Sequence, residues 1–289
     1  MQFYMNLRPK KSLGQHFLNS QHVLEQIISA ANIKPGEIIL EIGPGTGILT
    51  TALLNAGAKV VAVEKDDRAY EILRSKKQGE WSKESDKLVL IHGDILKLDM
   101  SSILHTSSSI LPTSYAIVAN IPYYITGAIL ERFLEHEPRP DRMVLLAQKE
   151  VAERIVARPP DGKKTGKDEN RGKESVLSIS VKAFGTPKIM AKVPRGAFTP
   201  APSVDSAILT IDNVSDGRFT SKTIDIKRFF ELVRAGFAHK RKYLIRNLEP
   251  IIGMEYANHI WQELKLDKKV RAEDITIDQW FEIASLMAP

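Results

Sequence analysis

The sequence predicts an α/β protein built on a mostly parallel, doubly wound sheet. Short apolar runs alternate with segments of helical spacing through the N-terminal half, as expected for strands joined by crossover helices. The first run, residues 37–42, is β-branched and ends in a glycine-rich turn, which favours a strand buried on both faces. Ligands of such sheets bind at the carboxyl ends of the strands, so we expect the functional residues there.

A glycine turn follows this first strand, with glycines on alternate positions at Gly43, Gly45 and Gly47. A turn that leads into a helix leaves backbone N–H groups exposed, and the missing side chains let a ligand approach the main chain. The spacing differs from the dinucleotide fingerprint, whose third glycine stands one residue later. For the glycines alone, a tight turn without a ligand is an equal alternative.

Three carboxylates lie at or near the ends of the predicted strands and suggest which ligand the turn holds. Glu64 closes the second strand about 20 residues past the turn, where a carboxylate suits ribose hydroxyls. Glu41, just before the glycines, would lie near a methionine amine. Asp94 and the backbone N–H of Ile95 follow the third strand and could hold an adenine; alternatively, Asp94 caps a short helix. The combination resembles the cofactor site of class I S-adenosylmethionine-dependent methyltransferases.

The motif Asn120-Ile121-Pro122-Tyr123 follows the fourth predicted strand and carries the most chemical information. Proline pushes Ile121 into an extended conformation, so that its carbonyl and the Asn120 side-chain oxygen can accept hydrogen bonds from one amino group. Two such acceptors make an exocyclic amine nucleophilic without a strong base, and the Tyr123 ring can stack on the base. The alternative is an ordinary strand–turn segment with aromatic packing.

Composition narrows the class of partner. The chain has 289 residues and a formal net charge of +6, which favours a polyanionic partner and places nucleic acid ahead of an acidic one. It contains no cysteine, which excludes disulfides, thiolate metal sites and a cysteine nucleophile. No apolar run is long enough for a membrane span, and the first residues lack the apolar core of a signal peptide. We expect a soluble, cytoplasmic protein.

The remaining elements of the α/β part follow in chain order. We predict helices at 20–31 with Ser20 as N-cap, at 47–56, at 66–75 and at 149–157, a polar loop at 76–86, and strands at 59–64, 88–92, 115–119, 142–148, 188–193 and 206–211. Residues 101–114 should form a surface connection. Residues 175–184 are ambiguous between helix and strand from their pattern.

A second, all-helical part is predicted at the C-terminus. We place the boundary in the polar segment 212–222, which gives domains at 1–213 and 223–289. Apolar spacing predicts helices over 224–238, 254–264 and 278–287, and a basic cluster is predicted to continue on a helix: His239, Lys240, Arg241, Lys242 and Arg246. Such a cluster is often simply solvated, but beside a base-methylating pocket it is typical of a phosphate-binding surface.

Taken together, these motifs resemble the KsgA/RsmA family of small-subunit rRNA adenine dimethyltransferases. The segments that carry the resemblance are 11–19 (Lys-Ser-Leu-Gly-Gln-His-Phe-Leu-Asn), 41–47, 120–126, 197–207 (Ala-Phe-Thr-Pro-Ala-Pro-Ser-Val-Asp-Ser-Ala), 236–247 and 271–276. The glycine turn is weakly specific by itself, whereas all six in this order are strongly specific. The resemblance covers essentially the whole chain.

The resemblance implies a fold, an activity and residue roles. The fold is that of class I S-adenosylmethionine-dependent methyltransferases, Rossmann-like with a seven-stranded sheet and a small helical C-terminal domain, and it favours a helix at 175–184. The activity is N6-dimethylation of two adjacent adenosines near the 3′ end of 16S rRNA, by a monomer without a metal. The implied roles are His16 and Leu18 at the cofactor entrance, Gly43 on the methionine, Glu64 on the ribose, Asp94 on the adenine, Asn120 on cofactor and target amine, Tyr123 and Phe198 around the flipped base, and Lys10, Lys11 and the C-terminal basic cluster on RNA.

Three departures from the family pattern bear on the details. His16 and Tyr124 each replace a common asparagine, and residues 158–175 form a longer, more charged loop than expected. Alternative functions are an Erm-type methyltransferase of large-subunit rRNA, a DNA adenine methyltransferase, and a ribosome-assembly factor with little catalysis. The basic and Arg-Ala-Glu-Asp segments near the C-terminus favour the small-subunit enzyme.

Overall fold

The computed structural model describes residues 7–10, 13–99, 114–157 and 173–287, and the chain divides into two units. The sheet unit comprises Met1–Ala152 and Lys188–Val214, and the helical unit comprises Glu153–Pro187 and Ser215–Pro289. The sequence did not indicate that residues 153–187 group with the C-terminal helices.

The sheet unit contains a seven-stranded sheet and a short two-stranded one. The strands, in chain order, are β1 (Phe17–Leu18), β2 (Ile38–Ile42), β3 (Lys59–Glu64), β4 (Leu88–His92), β5 (Ala116–Asn120), β6 (Arg142–Gln148), β7 (Thr186–Val193), β8 (Phe198–Thr199) and β9 (Ser206–Asp212). The large sheet has the order β4-β3-β2-β5-β6-β9-β7, in which β4 through β6 are parallel neighbours and β9 runs antiparallel to β6. The mostly parallel sheet predicted from the sequence is confirmed.

Helices cover this sheet. They are α1 (Gln21–Ala31), α2 (Ile48–Asn55), α3 (Asp67–Gln78), α4 (Thr126–Glu135) and the start of α5 (Lys149–Val156). The predicted N-cap of α1 is confirmed, because the Ser20 side chain accepts a hydrogen bond from the Val23 N–H. β2 is buried at every position, as its apolar run predicts.

The prediction that residues 76–86 form a polar loop is wrong. α3 continues to Gln78, and a 3-10 turn follows at Ser82–Glu84. The reason is Trp81, whose side chain is buried and donates from Nε1 to Thr51 Oγ1 at 3.2 Å. A single buried indole fixes a stretch that is otherwise polar, and the polarity alone suggested a loop.

The helical unit is held together by aromatic side chains. Its helices are α6 (Val176–Phe184), α7 (Gly217–Thr220), α8 (Ile226–Gly236), α9 (Leu244–Ile252), α10 (Met254–Glu263) and α11 (Ile277–Leu286). The rings of Phe229 and Phe281 stack at 4.6 Å, and Phe219 packs edge-on against both. The helix at 175–184 that the resemblance favoured is confirmed, with Ser175 and Ser178 forming a capping box.

The basic cluster does not continue on a helix, contrary to prediction. α8 ends at Gly236, and Lys240, Arg241 and Lys242 lie in a turn before α9; Arg246 alone is helical. The buried Asn247 side chain explains the break, because its Nδ2 donates to the carbonyls of Gly236 at 2.6 Å and of residue 239 at 3.2 Å. The first of these bonds satisfies a carbonyl at the end of α8, and the second holds the turn that follows.

Several predicted features fall outside the described residues. These are Lys11, most of the surface connection (101–113) and most of the charged loop (158–172). Among the helices that are described, none has the length and apolar character needed to cross a membrane.

We predict that Gly236→Ala destabilises the helical unit by about 1–3 kcal/mol. A Cβ at this position would overlap the Trp280 ring and approach Leu244 Cδ1 to 2.8 Å, although alanine favours a helical backbone. Gly127→Ala in α4 is the matched control, since nothing lies within 4 Å of its added Cβ. Urea denaturation should show a loss of stability for the first variant and none for the second. Equal midpoints for both variants would contradict the packing explanation.

Candidate active site

A cleft lies in the sheet unit at the carboxyl ends of β2, β3, β4 and β5. It is lined by residues 13–18, 41–46, 48–49, 63–65, 93–95 and 120–125. The cleft brings together every residue that the sequence assigned to the cofactor: His16, Leu18, Glu41, Gly43, Gly45, Glu64, Asp94, Ile95 and Asn120. It also contains Ile121, Pro122 and Tyr123, so the residues predicted for the cofactor and those predicted for the target amine share one site.

The three glycines of the turn are needed for different reasons. All have positive φ, at 68° for Gly43, 58° for Gly45 and 81° for Gly47. A Cβ on Gly45 would meet the Phe17 ring at 3.1 Å, and one on Gly47 would meet the Trp81 and Leu73 side chains. At Gly43 nothing lies within 4 Å of such an atom. Gly43 therefore leaves space at the cleft where a ligand can lie against the main chain.

Glu41 is a buried carboxylate with an unsatisfied oxygen. Its Oε2 accepts a hydrogen bond from Thr50 Oγ1 at 2.7 Å, whereas Oε1 has no hydrogen-bond partner among the described residues. Burial raises the pKa of Glu41 to about 8, with Glu64 adding to the rise and the Thr50 hydrogen bond opposing it. A cationic amine in the cleft would satisfy Oε1 and favour the ionised carboxylate. This site therefore fits a ligand that carries an ammonium group.

Glu64 connects the glycine turn to the end of β3. Its Oε2 accepts from the Gly45 N–H at 2.9 Å and its Oε1 from the Asp66 N–H at 2.7 Å. Burial raises the pKa of Glu64, and these two N–H groups oppose the rise. Each carboxylate oxygen has a second lone pair, so Glu64 can still accept from ligand hydroxyls.

Asp94 lies across the cleft from the glycines and forms a salt bridge. Lys65 Nζ is 2.9 Å from Oδ2, and the Leu96 N–H donates to Oδ1 at 3.1 Å. Burial acts to raise the pKa of Asp94, but the hydrogen bonds from Lys65 and Leu96 outweigh it and lower the pKa. The residues that follow Asp94 form a turn whose N–H groups at Lys97 and Leu98 donate to the Asp94 carbonyl. Together with the Leu96 bond, this gives Asp94 the hydrogen bonds of a cap, as the alternative interpretation expected, although the turn is too short to be a helix.

Asn120, the last residue of β5, is oriented by the N-terminal segment. Its Nδ2 donates to the His16 carbonyl at 3.2 Å. A carbonyl can only accept, so the amide nitrogen faces His16 and the side-chain oxygen is left for other donors. The prediction that this oxygen acts as an acceptor is compatible with the geometry.

Tyr123 is fixed at both ends of its side chain. Its hydroxyl lies 2.6 Å from Ser206 Oγ, and its ring stacks on that of His16 with centroids 5.8 Å apart and planes at 20°. Burial raises the pKa of Tyr123, against the Ser206 hydrogen bond, so the phenol stays neutral. The His16 ring is itself held, since its Nδ1 is 2.8 Å from the Pro200 carbonyl.

The structure does not bring Phe198 into the cleft. Phe198 lies in β8, is only 3% exposed and belongs to the hydrophobic core of the sheet unit. It pairs with Leu18 in the antiparallel β1–β8 ladder. Stacking on a base needs an exposed ring face, so the role of Phe198 stays a prediction that this arrangement does not support. His16 is the ring that lies beside Tyr123.

Two further aromatic residues lie at the cleft: Tyr124, which the sequence marked as a departure from the family pattern, and Phe17, which was assigned no contact. Phe17 packs on Gly45, and Tyr124 lies at the rim with 62% of its surface exposed. The sequence shows both rings inside recognisable motifs, but their contacts depend on how the N-terminal segment crosses the cleft.

The predicted RNA-binding residues lie in both units. Lys10 is about half exposed and is 3.4 Å from Asp66 Oδ1. Lys240, Arg241, Lys242 and Arg246 are exposed, and Arg246 pairs with Glu249 at 3.2 Å. Within the described part of the chain the other three form no ion pair. They are therefore available to an anionic partner, and their RNA-binding role stays a prediction.

Comparisons with known proteins identify the relatives of this chain. A family model described as "Ribosomal RNA adenine dimethylase" matches residues 6–289. "Ribosomal RNA small subunit methyltransferase A" of Dehalococcoides mccartyi is 38% identical over 276 residues, covering 95% of this chain and 87% of the relative. The protein of the same name from Rippkaea orientalis is 37% identical over 286 residues, covering 97% and 98%.

Solved structures share the fold. The crystal structure of a dimethyladenosine transferase from Plasmodium falciparum is 26% identical with a TM-score of 0.72, covering 93% of this chain and 96% of that one. The 23S rRNA methyltransferase ErmE, 21% identical, has a TM-score of 0.66, covering 93% and 98%. The predicted fold class, with its helical C-terminal region, is confirmed.

We predict that Glu41→Gln stabilises the protein at pH 8. The folded-state pKa of Glu41, about 8, lies above its ordinary value of 4.5, so the native state binds more protons between these values and its stability falls as the pH rises. Glutamine removes this loss, which amounts to at most about 1.4 kcal/mol per pH unit. The gain should therefore disappear near pH 5.

Glu37→Gln provides a control of opposite sign. Glu37 pairs with Arg142 through two hydrogen bonds of 2.6 and 2.9 Å, which outweigh burial and lower its pKa. Its substitution should destabilise at pH 8. Denaturant midpoints at pH 5 to 8.5 measure both variants, and a Glu41→Gln effect that does not depend on pH would contradict the raised pKa of the buried Glu41.

Proposed function

This chain belongs to the ribosomal RNA adenine dimethylase family, and we propose that it dimethylates adenosine N6 in small-subunit rRNA with S-adenosylmethionine as methyl donor. The observation that carries the proposal is that two pairs of features line the same cleft. The first pair is Asn120 and Tyr123, and the second pair is the unsatisfied Glu41 oxygen and the open space at Gly43. The first pair suits a planar exocyclic amine. The second suits the amino-acid part of the cofactor.

Each of the proposed cofactor-binding residues would contact a chemically different part of the ligand. When bound, S-adenosylmethionine supplies an electrophilic methyl group on a sulfonium centre. Glu41 Oε1 would accept from the ammonium group and Gly43 would leave room for the methionine chain. Glu64 would accept from the ribose hydroxyls and Asp94 from the adenine amino group, as the resemblance implied. Asp94 keeps its Lys65 salt bridge at the exposed side of the cleft.

Asn120 and Ile121 prepare the target amine. The Asn120 side-chain oxygen and the Ile121 carbonyl accept the two N6 hydrogens and draw the nitrogen lone pair out of conjugation. The lone pair would then form the nitrogen–carbon bond as the carbon–sulfur bond breaks, with the electron pair of that bond staying on sulfur. The N6 ammonium so formed would lose one proton to solvent. The monomethylated amine retains one hydrogen, so one acceptor still orients it for the second transfer. The step requires no strong base and no metal.

The target base has to leave its stack to reach this amine-binding pair. Extrusion costs a few kcal/mol and is least costly for an unpaired base, which favours a loop nucleotide over a duplex. The Tyr123 ring, fixed by Ser206, offers a stacking face for the base. By resemblance, we propose two adjacent adenosines near the 3′ end of 16S rRNA as the targets, and a monomer working in the cytoplasm.

The principal experiment compares substrates. Radiolabelled methyl transfer is measured on undermethylated small subunits, naked small-subunit rRNA, large-subunit rRNA and duplex DNA, followed by nucleoside analysis. Dimethyladenosine from small subunits or their rRNA supports the proposal. Label in large-subunit rRNA would favour an Erm-type enzyme, and tight binding to small subunits without label would favour an assembly factor.

We predict that Asn120→Ala lowers methyl transfer about 100- to 1,000-fold, because it removes one of two acceptors for the amine. Binding to small subunits should change less than about twofold, since phosphate contacts dominate affinity. Asn55→Ala, at an exposed position of α2 outside the cleft, is the control and should keep full turnover. Single-turnover kinetics and filter binding measure the two effects, and retained turnover in Asn120→Ala would refute the assigned role.

We predict that Lys240→Ala and Lys242→Ala weaken RNA binding and reduce its salt dependence. Each lost phosphate contact should lower the slope of log K against log salt by about one. Lys227→Ala, at another exposed position of the helical unit, should leave both quantities unchanged. Titrations of rRNA at three salt concentrations distinguish the variants. An unchanged slope in both turn variants would show that the basic turn does not contact phosphate.

A further inference from the structure

Residues 13–18 form one wall of the cleft, and together with residues 7–10 they make up the described part of the N-terminal segment. A Cβ on Gly14 would meet the Tyr124 ring at 3.2 Å, the Phe17 ring covers Gly45, and the main chain at residue 16 receives the Asn120 amide. The segment therefore touches the glycine turn and the amine-binding motif. Its position determines the shape of the cofactor site.

Asp66 holds this wall. Its side chain is completely buried, yet it makes five hydrogen bonds or ion contacts to the segment and to Arg68. Oδ2 accepts from Gln15 Nε2 at 2.9 Å and from Arg68 Nη2 at 2.7 Å, and Oδ1 lies 3.4 Å from Lys10 Nζ. Arg68 Nη1 also donates to the Arg8 carbonyl at 3.0 Å. One carboxylate thus fixes the segment at two points, on either side of residues 11–12.

These contacts exceed what a helix cap needs. Asp66 is the N-cap of α3, a role that uses only the hydrogen bond from the Arg68 N–H. The Arg68 guanidinium and then Gln15 hold the pKa of Asp66 well below its usual range against the effect of burial. The carboxylate is therefore ionised throughout the working pH range, and its charge is permanently available to the segment.

Asp66 also reaches the cofactor side of the cleft through its main chain. Its N–H donates to Glu64 Oε1 at 2.7 Å, and the other oxygen of Glu64 holds Gly45. The residue that anchors the wall therefore adjoins the carboxylate proposed for the ribose. A shift of Asp66 would alter both.

We propose that Asp66 is a positioning residue that holds the N-terminal segment, through Lys10 and Gln15, against the cleft and thereby sets the affinity for S-adenosylmethionine without contacting it. The inference rests on the proposed function only for the identity of this ligand. Because coupling is reciprocal, a bound cofactor also holds the segment in place. Weakening the anchor lowers cofactor affinity and releases the segment together.

The test compares Asp66→Asn with Asp67→Asn. Asparagine keeps the shape and the capping oxygen of Asp66 but removes its charge, and Asp67 is the adjacent carboxylate, 83% exposed and paired with His92 instead of the segment. Calorimetric titration with S-adenosylhomocysteine should give a Kd about 5- to 50-fold higher for Asp66→Asn and an unchanged Kd for Asp67→Asn. The KM for S-adenosylmethionine should rise in parallel while kcat at saturation stays within about threefold.

A second readout reports on the segment itself. Trypsin cleavage after Lys10, followed by intact mass, should be faster in Asp66→Asn, and S-adenosylhomocysteine should slow it in the unmodified protein. Weaker cofactor binding without faster cleavage would overturn the proposal, because the effect would then run through Glu64 or the fold. Unchanged affinity and unchanged cleavage in Asp66→Asn would also overturn it.

Arg68→Met tests the anchor if Asp66→Asn fails to fold. Arg68 lies outside the residues that line the cleft and is about 39% exposed, and its substitution leaves the Gln15–Asp66 bond in place. We expect faster cleavage and a smaller loss of affinity than in Asp66→Asn; no change in either would refute the anchor. If the unmodified protein bound no cofactor, the proposed function would be refuted. If all variants bound the cofactor equally well, only the positioning role of Asp66 would be refuted.

Discussion

Two backbone N–H groups converge on the buried Glu64 carboxylate, and the arrangement of the cleft depends on this convergence. One N–H comes from the glycine turn after β2 and the other from the residue that caps α3. A buried carboxylate with such partners cannot move without leaving them unsatisfied, which is costly in a low-dielectric interior. Neighbouring parallel strands are thereby joined at their carboxyl ends, and the turn, the position that we propose for the ribose and the N-terminal wall share one reference point.

The carboxylates of the site differ in how far they are buried and in whether they are paired. Glu41 has lost water and has one free oxygen, so it is prepared for a cation; Asp94 is partly exposed and already paired with Lys65. Asn120 presents a neutral acceptor at the end of β5, the strand beside β2. In the function that we propose, two carboxylates and one amide at the carboxyl edge of the sheet act on three different parts of a ligand and its target. None of them has to change its protonation state during the transfer that we propose.

Much of the sheet and most of the site followed from local sequence. β3 and β4 coincide with the predicted runs, and in β3 the reason is burial at every position after Lys59, which leaves a continuous apolar signature. The wrong predictions, and the contacts that no prediction covered, arise from single side chains with distant partners. Trp81 orders a polar stretch, Asn247 ends α8 from within the next helix, and Asp66 binds Gln15 across 51 positions of the chain. Burial of Phe198 has the same origin, because its partner in the β1–β8 ladder is Leu18.

That ladder also constrains the order in which a nascent chain can acquire its structure. Residues 17–18 leave the ribosome long before their partners at 198–199 are made, and β9 must enter between β6 and β7 to complete the sheet. Contacts of such long sequence separation form slowly and late. During synthesis, β1 in the N-terminal segment therefore remains unpaired while most of the sheet unit is translated. A truncated or stalled chain would contain the glycine turn and the Asn-Ile-Pro-Tyr motif but would lack the strand that holds the wall beside them.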